Sequence, residues 1–276
     1  DKISITGKEG DWYKVKVKDK TGYIREDLLD VEGEMGERIR SNIKGDVPHF
    51  VLKDNRCPFL NEKGLCDIIS HFGEDGLCDI CYLHPRFQNE YESFIETGLG
   101  LCCEEVSRII LSEKEKVFIE EAEDVTEEEK EFLKERSKVF SVLQNREKPM
   151  VERLKILAKE YGIPFEFELE KVKKKYLELE RLDEKWTDEL NSISDGVFED
   201  FDTMTEQLAV YFVFRHFKGA DKKKEIYFVL ISCYLVSLLW KKHKDEGFEK
   251  LTDIARMYSQ EVEYCIPNME KIMEGI

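Results

Sequence analysis

The sequence predicts a mainly α protein: a helical body, a loop-rich cysteine-cluster module and a small N-terminal antiparallel β piece. Three observations carry this prediction. Apolar and polar residues alternate with period two over 12–24. Six of the eight cysteines fall between Cys57 and Cys103, in a stretch rich in Gly, Asn, Asp and Pro. Beyond about residue 112, apolar residues recur at helical spacing almost to the end.

The β piece comes first. "DWYKVKVKDKTGYI" sets Trp12, Lys14 and Lys16 against Tyr13, Val15 and Val17, with a turn expected at Asp19–Gly22 before Tyr23 and Ile24. Alternation of β-branched and aromatic residues around a polar turn reads as a hairpin, and "ISIT" before Gly7 adds a strand. Three strands are too few to close a barrel. The expected division is 1–30 for this piece, 31–112 for the cysteine module and 113–276 for the helical domain.

The helices follow in order. "EGEMGERIRSNI" spaces Met35, Ile39 and Ile43 by four, a short helix. "CCEEVSRIILS" over 102–112 also reads as helical. Thr126-Glu127-Glu128-Glu129 is a capping-box signature opening a long helix. "PMVERLKILAKEYGIP" is a further helix, stopped by Gly162 and barred from continuing by Pro164. Thr203 to Glu206 reads as a second capping box, opening "EQLAVYFVFRHF". That run is apolar nearly all round and is expected to be buried. "LTDIARMYSQEVEY" is amphipathic.

Composition excludes some functions. Hydrophobic residues make up 41% and charged residues 37%, with a formal net charge of −17. Phosphate neutralisation needs clustered Lys and Arg, so no nucleic-acid partner is expected. The field would draw cationic partners instead. The most apolar run, Ile226–Trp240, has 15 residues, short of the roughly 20 a membrane-spanning helix needs. It is expected to be a buried core helix, with no membrane span.

The cysteines are spaced Cys57-x8-Cys66-x11-Cys78-x2-Cys81, then 20 residues to Cys102-Cys103. A Cys-x2-Cys turn lets two thiolates meet one metal ion, and soft sulfur donors select zinc, Cu(I) or iron–sulfur. His71 and His84 are further candidate ligands. A disulfide framework is the rival, though it suits small secreted domains. Thiols that merely pack are the third reading. Cys233, inside an apolar run, is of that kind. Arg215 lies within "YFVFRHF", on a helix with little polar face. It is either an internal ion pair or a clamp for a cofactor or substrate carboxylate.

"CPFLNEKGLCDI", "FGEDGLCDICYLHPRF" and "ETGLGLCCEEVSRIILS" resemble successive signature segments of the flagellin lysine-N-methylase family. A wider family of metal-binding cysteine-cluster proteins shares the first two. "VEGEMGERIRSNI" and "AVYFVFRHF" resemble further stretches of the methylase family, so the resemblance runs over about 31–276. Cys57, Cys66 and Cys81 sit where that family has cysteines. Cys78 matches a frequent extra cysteine, Cys103 the cysteine of the last segment, and Pro85-Arg86 its Pro-Arg pair. "GDWYKVKV", "GYI" and "LLDV" in 1–30 resemble the second half of a bacterial Src-homology-type β-barrel, a fold that binds cell-wall glycan or peptide.

The resemblance implies S-adenosylmethionine-dependent methyl transfer to flagellin lysines in a flagellated bacterium. It also implies a metal centre, an iron–sulfur cluster or zinc, on Cys57, Cys66, Cys78, Cys81 and Cys103. It assigns no catalytic residue, and Arg215 is the one cofactor-binding candidate. Reduced thiols predict a cytoplasmic setting. The family carries another cysteine-rich segment upstream, where this sequence has the β piece. A weak or inactive methylase is therefore expected. The alternative is a non-enzymatic metal-binding module with a helical protein-interaction domain.

Overall fold

The computed structural model describes residues 4–9, 12–17, 20–25, 34–44, 49–53, 56–119, 122 and 124–275, with backbone alone for 4–25 and 49. The chain is mainly α, as its periodicity predicts. It forms two compact units, Asp1–His84 and Pro85–Ile276. That boundary falls inside the stretch that sequence reading grouped as 31–112.

In the first unit, β1 (Ser4–Glu9), β2 (Trp12–Val17) and β3 (Lys20–Arg25) form an antiparallel sheet in the order β1-β2-β3. Val17 pairs with Lys20. Lys20, Thr21 and Gly22 are therefore strand residues, where a turn was expected. "LLDV" lies outside the described residues. Helix α1 (Glu34–Ser41), which α2 (Asp67–Phe72) and α3 (Asp79–Leu83) follow later in the same unit, puts Ile39 inward. Ile43, expected on the same face, belongs instead to β4 (Ile43–Lys44), paired with β5 (His49–Phe50). Ile39, Phe59 and Ile68 form a small core, packed around by Met35, Phe50, Cys57, Cys66, Phe72 and Leu77. Arg38 fixes its edge: it donates to Asp67 at 2.6 Å and to the Pro58 carbonyl at 2.5 Å, and its guanidinium lies 5.6 Å from the Phe59 ring centre.

The second unit opens with a hairpin, β6 (Arg86–Glu90) and β7 (Ile95–Leu99). Helices α4 (Glu104–Ser112), α5 (Glu127–Leu143), α6 (Met150–Glu160), α7 (Leu169–Leu177), α8 (Glu184–Asn191), α9 (Thr203–His216), α10 (Lys222–His243), α11 (Phe248–Tyr258) and α12 (Ile266–Met273) follow. Helices α9 and α10 are buried nearly all round and form the centre of the core. The stretch Lys222–Glu246 is long and apolar enough to cross a membrane, yet 89% of its apolar window is buried in the protein.

The boundaries have local causes. Gly162 takes φ +63°, and Ile163 N donates to Ala158 O at 2.8 Å, closing α6 as its glycine requires. Thr126 and Glu129 form both halves of the capping box. At α9 the expected box is absent. Asp202 is the capping residue, and the Glu206 carboxylate turns inward to Arg146 at 2.8 Å and Arg153 at 2.6 Å. With two guanidiniums in reach, an ion pair outcompetes one backbone N–H.

Glu129 makes the capping box pH-sensitive. Burial pushes its carboxyl upward. The backbone N–H groups of Ser93 and Thr126 outweigh that push and hold it down to about 2. An unfolded glutamate titrates near ~4.3, so this interaction is complete above that value and is lost as pH falls through about 2. We expect the stability difference between the parent and Glu129→Gln to shrink steadily from pH 5 to pH 2 in urea titrations. A constant difference would contradict the assignment.

Candidate functional site

The Cys57–Cys66 loop is closed by its own backbone. Leu60 N donates to Cys57 O at 3.2 Å, and Asp67 N donates to Phe59 O at 2.8 Å. Asn61 Oδ1 accepts from Lys63 N and Leu65 N, each at 3.0 Å, while Gly64 takes φ +76° at the bend. This returns Cys66 beside Leu60, and both cysteines pack on the small core. Cys66 and Cys78 then stand as the capping residues of α2 (Asp67–Phe72) and α3 (Asp79–Leu83). Cys81 lies one turn into α3.

The Cys81 thiol feels the other three. Partial desolvation of this exposed residue first, then a hydrogen bond with Cys78 and the nearby Cys57 and Cys66, pushes the Cys81 thiol up to about 12. All eight cysteines are free. Among the described residues, no three His, Cys, Asp or Glu side chains are arranged to hold a metal ion. Cysteine sulfurs are donors of the type a soft cation takes. Crowded thiols resist ionisation, and a bound cation reverses that penalty. Cys103 belongs to the second unit, where it caps α4. His71 Nδ1 is engaged by the Asp67 carbonyl at 2.7 Å.

Arg215 has its partners within its own unit. Its Nη1 donates to the Tyr211 hydroxyl at 2.6 Å and lies 3.4 Å from the Glu263 carboxylate. The rings of Phe87 and Tyr264 flank the guanidinium, with centres at 4.8 and 4.5 Å. Glu263 also accepts from Tyr211 at 3.0 Å and from His216 Nε2 at 2.6 Å. Burial pushes the His216 imidazole down, and its contact with the Glu263 carboxylate places a proton on Nε2. Burial opposes ionisation of Glu263, but Arg215 and His216 keep its carboxyl below the usual range. Glu263 lies in a single π-helical turn, Ser259–Glu263, after α11. Such turns re-aim side chains and recur at functional sites.

No family model matches the chain. No solved structure matches it. The chain is similar to the flagellar biosynthetic protein FliU of Salmonella muenchen, 32% identical over 59 residues. That match covers 21% of this chain, which spans about a third of the relative's length, 35%.

The Gly98-Leu99-Gly100 stretch serves packing. A Cβ on Gly98 would clash with Phe87 and meet Phe214 at 2.8 Å, and one on Gly100 would clash with the Tyr264 hydroxyl. The hairpin thus lies directly against α9 and the π turn. Sequence reading missed Glu263, Tyr264 and Tyr211 as members of one cluster. The only available signal was a buried Arg lacking a carboxylate nearby in sequence.

Proposed function

We propose that this chain acts in flagellar biosynthesis as an S-adenosylmethionine-dependent N-methylase of flagellin lysines, with its Cys57–Cys81 loops braced by a zinc ion or an iron–sulfur cluster. What supports the reading is the family resemblance of the segments that carry Cys57, Cys66, Cys78 and Cys81, four cysteines of one unit. These are positions where the resembled methylase family carries cysteines. Similarity to a flagellar biosynthetic protein supports the biological setting.

When bound, S-adenosylmethionine would supply the methyl group, its C–S bond breaking as the N–C bond forms and S-adenosylhomocysteine leaving. The lysine must arrive neutral, its proton passed to a base or to water, and must stand in line with the sulfonium carbon. A net charge of −17 favours the approach of a Lys-bearing substrate. Thiols that must stay reduced suit the cytoplasm.

A second reading is a non-enzymatic metal-binding module carrying a helical interaction domain. Arg215 favours it, because the guanidinium proposed to hold a cofactor carboxylate is already engaged by Glu263 and Tyr211. Calorimetry with S-adenosylmethionine separates the two. Saturable heat, followed by 14-Da increments on flagellin peptides, is the expected result for a methylase. No heat at millimolar cofactor would reject the first reading in favour of the second.

A further inference from the structure

Residues 113–119, which follow α4, form a pinned strap. Arg146 Nη2 donates to Lys114 O at 2.8 Å, and Gln207 Nε2 donates to Glu115 O at 2.7 Å. Gln144 closes a two-way pair with Val117: it accepts from Val117 N at 2.6 Å and donates to Val117 O at 3.0 Å. Gln144 and Gln207 are only 8% and 2% exposed. The strap backbone is therefore fixed from beneath by buried amides. Val117 and Ile119 pack on the core. An extended chain alternates its sides, so the residue between them points outward. That residue is Phe118, 88% exposed.

A lone exposed apolar side chain is ordinary. Phe118 differs in two respects. Its backbone is already ordered, so burying the ring against a partner costs little conformational entropy. It also sits in a strongly charged stretch: residues 113–131 hold ten Asp and Glu against three Lys. One of those lysines, Lys114, is turned to Thr203 Oγ1 at 3.2 Å. Glu113 and Glu115 are exposed on either side of it.

We propose that this strap is a docking edge for a Lys/Arg-rich amphipathic segment of a partner protein, with Phe118 as its apolar anchor. Aromatic anchors ringed by complementary charge are the usual form of such contacts. The proposal does not depend on whether the chain transfers methyl groups.

Fluorescence anisotropy with two labelled peptides tests it on the full chain. One alternates lysine and leucine pairs; the other replaces leucine by serine at equal length and charge. The lysine–leucine peptide should bind at least about tenfold more tightly than its serine counterpart, and Phe118→Ala should remove that advantage. An exposed ring can be deleted without unfolding the chain, and an unchanged melting temperature will verify this. Equal binding of the lysine–leucine peptide by Phe118→Ala and parent, or no binding by either, would overturn the proposal. So would a concentration-dependent dimer, seen by sedimentation and abolished by Phe118→Ala, because the strap would then belong to a second copy of this chain.

Discussion

Glu263→Ala is expected to destabilise the Pro85–Ile276 unit by about 3–5 kcal/mol, the usual cost of leaving a buried charge without its partner. The carboxylate is wholly buried and faces Arg215, His216 and Tyr211 at once. Its removal strands a guanidinium that is only 8% exposed. It also removes the acceptor of the His216 Nε2–H and the Tyr211 hydroxyl. Double replacement, Arg215→Met with Glu263→Leu, should lose clearly less than the single change, since an apolar pair of similar volume replaces the ion pair. Urea unfolding of the three proteins, followed by near-ultraviolet circular dichroism, measures this. A loss below about 1 kcal/mol for Glu263→Ala would mean that the carboxylate is not the charged partner of Arg215.

What the sequence discloses follows from the range of the interactions involved. The capping box at Thr126 and the stop at Gly162 are local, and both can be read within a few residues. Burial of α9 and α10 is legible because almost no polar face interrupts them. The β6–β7 hairpin is not legible. Its inward face carries Asn89, 2% exposed, whose Nδ2 donates to Phe214 O at 3.0 Å, so a core position looks polar. Glu206 misleads for the opposite reason: its spacing from Thr203 fits a cap, but Arg153, 53 residues away, claims it.

The candidate site divides in the same way. Cys78 and Cys81 are neighbours by spacing, and a turn must bring them together. Cys57 and Cys66 are turned toward each other by the Asn61 turn and the Leu60–Cys66 bridge, whose Asn and Gly signals are visible in the sequence. Arg215 and Glu263 are 48 positions apart, and no local rule pairs them. The π turn that aims Glu263 inward depends on packing around α11, which no short pattern encodes.

Core size sets the largest expected effect of metal. The Asp1–His84 unit has three buried apolar side chains in its described core, Ile39, Phe59 and Ile68. A core that small is marginal unless something else holds the loops. The full chain should therefore melt in two steps, the lower one from this unit. If the four thiols bind zinc, metal at about one hundred times its dissociation constant adds about 2.7 kcal/mol to that step. For a unit of this size the midpoint should rise by 10 °C or more, at about 4–8 °C per kcal/mol. A chelator should reverse the shift, and Cys81→Ser should reduce it sharply. Cys81 is exposed, so the serine variant loses little packing and the effect would report on ligation. Calorimetric scans with zinc, with chelator and with the variant give the comparison. A lower transition that stays in place under all three conditions would show that the thiols gather without holding a metal.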